Sequence, residues 1–169
     1  MNITFHNVYE DDRSKNNKFL YVLLGRRKEH QNISHIKMPS YEDHLQFVYS
    51  RPYLQWELIA VDDLFVGAWY MSKRYEIGIF ILEEHQDQGI GKAVLNHIYF
   101  NYPNQAIYAN VNDKNIASKE FFKRNGFTFQ FGFNTGRVFQ NTYVKTTPVR
   151  ILKPVLSKQN QDETIIPEP

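Results

Sequence analysis

The order of segments along the chain predicts an α+β fold, with helices packed against a mixed central sheet. Three observations carry that reading. Strand-like and amphipathic runs follow one another as β-α-α-β-β-β-α-β-α-β-β. One run, Glu76–Leu82, is almost continuously apolar (Ile77, Gly78, Ile79, Phe80, Ile81, Leu82), the pattern of a strand covered on both faces. And 169 residues, 42% hydrophobic and 22% charged, are enough to close one hydrophobic core.

Ile3–Val8 alternates weakly and reads as the first strand. Ser14 or Asn16 would cap a helix running to about Arg27, with Phe19, Leu20, Leu23 and Leu24 on one face and basic residues at its end. Lys28–Pro39 reads as polar loop. Ser40, with Asp43 three residues on, opens a second helix as a capping-box variant, and Pro52 stops it. Three strands follow, Gln55–Val61, Leu64–Met71 and Glu76–Leu82, the first two joined by an Asp62-Asp63 turn. A helix from about Gly89 to Tyr102, a strand over Ala106–Val111 and a helix over Asn115–Asn125 come next. Gly126 stands where a left-handed C-cap glycine belongs. Phe127–Phe133 and Val138–Lys145 read as a closing strand pair around Asn134-Thr135-Gly136. After Lys145, prolines and scattered charge replace the pattern. The domain is therefore placed at 1–146 and a loosely held tail at 147–169, with Val149, Ile151, Leu152, Val155 and Leu156 as its apolar residues.

The formal charge of +2 is too small to make nucleic acid or an anionic membrane the main partner. With no cysteine, disulfides, thiolate metal sites and a cysteine nucleophile are excluded, and no metal is expected. The first residues lack the basic start and apolar run of a signal peptide. No apolar stretch approaches the ~20 residues that span a bilayer. The expectation is a cytoplasmic protein. Aromatics are abundant at 15%, enough to line a pocket as well as fill a core.

The most informative stretch is Gln86-Asp87-Gln88-Gly89-Ile90-Gly91-Lys92, where an apolar strand leads through a polar turn into an amphipathic helix. Glycine lets a backbone approach a ligand closely. The first turn of a helix offers unpaired N–H groups and the positive end of the macrodipole, which together suit a pyrophosphate. Lys92 adds a cation. Neither the Rossmann fingerprint nor the P-loop fits, because the third glycine of the first and the Lys-Ser/Thr pair of the second are missing.

Gln86-x-x-Gly89-x-Gly91, after a strand ending near Ile81, resembles the acetyl-CoA-binding signature of the GNAT superfamily of N-acetyltransferases. Downstream, Val111-x-x-x-Asn115-x-x-Ser118-x-x-Phe121-Phe122-x-x-x-Gly126-Phe127 is similar to the family's second motif. The resemblance implies a mostly antiparallel central sheet flanked by helices, and acetyl-CoA as the cofactor. It implies that the main chain of Ile79, Phe80 and Ile81 pairs with the pantetheine arm. The amides of Gln86, Asp87, Gln88, Gly89, Ile90, Gly91 and Lys92 would hold the pyrophosphate. Asn115 would bond the cofactor, with Ser118 and Phe122 on the same wall. Asn115 also suits a helix N-cap, and both roles can hold together.

Acetyl transfer to an amine poses a proton problem. An alkyl ammonium of pKa near ~10 is only about 0.1% neutral at pH 7, a handicap of roughly 4 kcal/mol. Glu76, at the start of the strand that leads to the loop, is the candidate base, since similar acetyltransferases often place a glutamate there. A solvated glutamate beside Arg74 is the competing reading. Glu57, His44 and His85 are weaker candidates. The position that is commonly a tyrosine acid in the family is Phe122 here, which has no proton to give. Tyr108, or else Tyr143, would then protonate the leaving sulfur, or the thiolate leaves unassisted.

The acceptor is expected over the first helices and their loops, with His35, Tyr41, Trp56 and Tyr70 as binding residues. Aromatic and polar groups together suit a sugar-like ring and equally suit core packing. The stretch Ser34-His35-x-Lys37-Met38-Pro39-Ser40-Tyr41-Glu42-x-His44 resembles small bacterial acetyltransferases of surface-sugar biosynthesis. The expected substrate is thus a small-molecule primary amine, an amino sugar or a nucleotide-linked amino sugar, acetylated directly in a ternary complex. A protein or peptide N-acetyltransferase and a non-catalytic acyl-CoA-binding module are the alternatives. Oligomeric state is open, with room for a homodimer.

Overall fold

The computed structural model describes residues 1–10, 13–31, 37–135 and 138–146. The expectations for His35 and for a tail over 147–169 fall outside them. Along the chain come β1 (Ile3–Asn7), α1 (Arg13–Gly25), α2 (Tyr41–Tyr49), β2 (Gln55–Val61), β3 (Leu64–Met71) and β4 (Glu76–Ile81). They are followed by α3 (Ile90–Asn101), β5 (Ile107–Asn112), α4 (Ile116–Arg124), β6 (Thr128–Asn134) and β7 (Phe139–Lys145). The strands form one seven-stranded sheet in the order β1-β2-β3-β4-β5-β7-β6. Every neighbouring pair is antiparallel except β4 and β5. No helix of the described residues is long and apolar enough to cross a membrane.

Local chemistry explains the boundaries. The Ser40 hydroxyl accepts from the Asp43 amide at 3.1 Å and donates to the Asp43 carboxylate at 2.8 Å, so α2 starts where expected. Asp62 and Asp63 both have positive φ, 47° and 67°, the twist that joins two strands by a two-residue hairpin. At the end of α4, Gly126 takes φ +83°, its amide bonds the Lys123 carbonyl and the Phe127 amide bonds that of Phe122. This Schellman closure comes with its apolar contact, the Phe122 and Phe127 rings lying 5.0 Å apart. One expectation fails. Ser14 and Asn16 lie inside α1 rather than capping it, and Asn16 and Asn17 are each only 1% exposed.

The sheet is covered on both faces, which is why its strands read as apolar runs. On one side Trp69, Met71, Ile77 and Ile107 of the sheet share a core cluster with Val94, Leu95 and Ile98 of α3 and Phe122 of α4. In a second cluster Trp56, Leu58 and Ala68 join Leu20 and Leu23 of α1 and Val48 of α2. Each large side chain fully buried here contributes about 1.5–3 kcal/mol.

The feature that makes the site is a failure of pairing. β4 and β5 are in register only at Glu76↔Tyr108 and Ile77↔Ala109. Beyond that point β4 follows β3 as far as Ile81↔Gly67, while β5 follows β7. The two strands splay apart. β4 is therefore not the doubly covered strand the sequence suggested: of its residues only Ile77 is buried, and Gly78–Ile81 present an open edge.

Candidate active site

A cavity of about 460 Å³ runs through the splay. Its first wall is the stretch from Gly78 to Ile81, whose main chain lacks a partner on the β5 side. An unpaired strand edge is a template for an extended ligand carrying amide groups.

The second wall is the loop into α3. After a single 3₁₀ turn over Glu83–His85, the Gln86 side chain donates to the Ile81 carbonyl at 2.9 Å and ties the loop to the end of β4. Asp87 (φ 58°) and Gly89 (φ 82°) are both left-handed. Such alternation aims successive amides toward one side, building an anion-binding nest. The Gln86 amide is consumed by the Glu83 carbonyl, which removes it from the expected cradle. From Asp87 to Lys92, no backbone amide donates to an acceptor among the described residues, and Ala93 to Gly89 is the first bond of the helix ladder. Gly89 has no heavy atom within 4 Å of where a Cβ would stand, whereas a Cβ at Gly91 would meet the Phe121 ring at 2.9 Å. Gly89, Ile90, Gly91 and Lys92 line the cavity and the Gln88 side chain turns away, its Nε2 donating to the Glu84 carbonyl. Free amides, a helix N-terminus and a lysine fit a pyrophosphate.

The third wall combines the end of β5 with the start of α4. Asn115 is 9% exposed, caps α4 by accepting from the Ser118 amide at 3.1 Å, and also lines the cavity. Ser118, Phe121 and Phe122 complete this side. Phe122 is packed between Phe121 and Phe127, so no proton donor occupies its place. Lining residues that escaped the sequence reading include Asn110, Asn112 and Arg124. The first two carried a signal, polar residues at alternate positions of an otherwise apolar strand.

Glu76 sits at the last paired position before the splay. Ser72 Oγ donates to its Oε2 at 3.0 Å and Asn110 Nδ2 to its Oε1 at 3.1 Å, while Thr142 holds the other end of Asn110 at 2.8 Å. Glu76 and Tyr108, its cross-strand partner, are not among the described residues that line the cavity; Asn110 is the link between them and it. His85 lines it, but Glu57 and His44 do not. Glu57 is 8% exposed and bound to Trp69 at 3.0 Å and His97 at 2.9 Å, and His97 belongs to α3 on the opposite face of the sheet. Tyr143 is buried in the core against α3 and α4, which removes it as an alternative acid.

Of the described acceptor residues only Tyr70 borders the cavity, together with Arg27 and Gln31. Tyr70 lies across Gly78, where a Cβ would stand 2.4 Å from its ring, and stacks on Tyr53 at 4.1 Å. Burial raises the Tyr70 pKa, Arg27 opposing. Trp56 is core, 8% exposed and edge-on to Tyr53, and Tyr41 packs against Tyr21 at the start of α2.

Residues 55–129 match the family profile described as acetyltransferase (GNAT) domain. No curated protein sequence matches the chain. Among solved structures, a ribosomal-protein α-N-acetyltransferase in complex with coenzyme A is 18% identical, with a TM-score of 0.68 over 85% of this chain and 93% of that one. An acetyltransferase from Thermus thermophilus is 20% identical, with a TM-score of 0.68 over 86% and 97%. A candidate phosphinothricin N-acetyltransferase is 12% identical, with a TM-score of 0.69 over 86% and 99%. The splayed pair and the loop into α3 both fall within the segment that matches the acetyltransferase (GNAT) domain, and the fold of the chain is that of the acetyltransferases above.

Proposed function

We propose that the chain acetylates the primary amine of a small molecule, an amino sugar or a nucleotide-linked amino sugar, by direct transfer in a ternary complex. The matched folds are named for both protein and small-molecule amines. The choice is therefore argued from the cavity. The observation that carries it is the acceptor end, a compact concave wall of Arg27, Gln31 and Tyr70 beside the splay, suited to a ring with polar edges.

The residues divide the work as follows. The amides from Asp87 to Lys92 and the Lys92 ammonium hold the pyrophosphate, and the main chain of Gly78–Ile81 holds the pantetheine arm. Asn115 and Ser118 close that side. When bound, acetyl-CoA supplies an activated thioester carbonyl. Glu76 takes the ammonium proton through a water at Asn110. Two of its lone pairs are committed to Ser72 and Asn110, and a carboxylate has about four. Tyr108 is the candidate to protonate the leaving thiolate. Its role is modest, because a thiolate whose acid has a pKa near roughly 8.5 leaves tolerably unaided.

The test is a screen of amino sugars, nucleotide-linked amino sugars, polyamines, amino acids and peptides, following loss of the acetyl-CoA thioester. Turnover concentrated in the sugar amines is expected. Preference for peptides would overturn the reading, and thioester loss that no amine accelerates would leave only a binding module.

A further inference from the structure

Arg27 is a cation at the acceptor end of the cavity that the proposed mechanism leaves unused. It follows the C-terminus of α1, its amide bonded to the Leu24 carbonyl at 3.2 Å. Its guanidinium lies over the Phe80 ring at 5.4 Å and lines the cavity. Its Nε is buried with no hydrogen-bond partner among the described residues. The neighbouring Lys28 pairs with Glu83 at 2.9 Å, but no ion pair among the described residues includes Arg27. Glu76 has its oxygens held by Ser72 and Asn110. A partly desolvated guanidinium without an anion is costly, and its planar fork of donors matches a carboxylate or phosphate in two-point fashion.

We propose that Arg27, with Gln31 beside it, forms an oxyanion subsite, so that the acceptor carries a carboxylate or phosphate as well as its amine. The Phe80 ring is the platform beneath the guanidinium. The cofactor's pyrophosphate has its own donors in the loop and Lys92, which leaves Arg27 to the second substrate. This deepens the small-molecule reading and rests on it for the size of the acceptor, though not for the charge.

The test compares matched amines with and without the anion: glucosamine 6-phosphate against glucosamine, and an amino acid against its carboxamide. The parent enzyme should favour the anionic member at least tenfold in kcat/KM, through KM. Arg27→Gln should collapse that ratio to near one, and Arg27→Lys should keep part of it. Acetyl-CoA affinity by calorimetry should stay parental. On the parent enzyme, inorganic phosphate should inhibit competitively against the acceptor. No anionic preference in the parent, a loss in Arg27→Gln shared equally by both members, phosphate competing only with acetyl-CoA, or weakened cofactor binding would each overturn the subsite. If only peptides are turned over, the small-molecule reading fails by itself. The subsite is then judged on peptides with acidic or amidated side chains: a preference that Arg27→Gln abolishes supports it, and no preference overturns it.

Discussion

The two ends of the cavity are built from different material. At the proposed cofactor end the groups are chiefly main chain, the free edge of β4 and the amides from Asp87 to Lys92, with the Lys92, Asn115 and Ser118 side chains beside them. At the acceptor end they are side chains, Arg27 after α1, Gln31 in a 3₁₀ turn, Tyr70 on β3 and Asn110 on β5. A main-chain site asks only for a backbone path, which glycine and a cap suffice to specify. A side-chain site needs residues from distant parts of the chain to meet. The first kind holds one ligand across many sequences, and the second can be rebuilt for a new acceptor without touching the first. Each variant below acts on one end and should leave the other alone.

The largest effect is expected at Glu76. Glu76→Gln keeps an acceptor oxygen for Asn110 or Ser72, so the local network survives while the base is lost. Turnover at neutral pH should fall by about 10²–10⁴, with acetyl-CoA affinity nearly parental. The deficit should shrink as pH rises toward the amine's own pKa, where the substrate arrives neutral. Near-parental turnover at pH 7 would remove Glu76 from the mechanism and bring the cavity-lining His85 forward.

Next in size is Gly91. A valine there should weaken acetyl-CoA binding tenfold or more, which is about 1.4 kcal/mol. It should also lower the melting temperature, since its Cβ would meet the Phe121 ring at 2.9 Å and press α3 away from α4. Calorimetry on the folded variant is the measurement. Unchanged affinity would mean the loop does not hold the pyrophosphate.

How much of this was legible in the sequence follows the same division. β2 and β3 were readable to the residue because both of their faces are apolar and an Asp-Asp turn separates them. The turns at the start of α3 and at both ends of α4 were readable because Gly89 and Gly126 mark left-handed positions and Asn115 marks a cap. The splay was not, because the parting of β4 from β5 depends on strand pairings across the sheet and leaves no local pattern. Nor was the acceptor wall. Trp56 and Tyr41 share the composition of pocket residues but belong to the core and to the helix seam, and nothing around Arg27 in sequence shows that it would lie over the Phe80 ring. α1 hid its buried Asn16 and Asn17 for the same reason.

A smaller effect is expected at Asn115, where one side chain serves both the fold and the cavity. Asn115→Ala removes the cap on the Ser118 amide and should cost about 1 kcal/mol of stability. Asn115→Asp keeps the cap and replaces the amide with a charge. Acetyl-CoA binding should weaken in both, stability chiefly in the alanine variant. Affinity unchanged in both would leave Asn115 as a cap alone.

The smallest effect concerns acid, and it should appear at the acceptor end. His44 of α2 is 5% exposed, its Nε2 has no hydrogen-bond partner, and it lies against Tyr21 of α1 at 5.4 Å between ring centres. Burial lowers its pKa from the ordinary 6.5, with the Asn17 backbone partly opposing. A histidine held neutral in the fold is protonated more readily in the unfolded chain. Its contribution to stability is therefore complete above about pH 6.5 and declines as pH falls through its lower folded value, with a slope no steeper than ~1.4 kcal/mol per pH unit. Melting temperatures between pH 8 and pH 5.5 should show this decline, and His44→Leu should flatten it. Hydrogen exchange should show α1 and α2 losing protection first, with KM for the acceptor rising before acetyl-CoA affinity changes, because α1 leads directly into the segment with Arg27 and Gln31 while the β4 edge, the loop into α3 and the start of α4 line the other end. An equal decline in His44→Leu, or simultaneous loss of protection in α4, would show that acid acts on the fold as a whole and that the two ends are not mechanically separate.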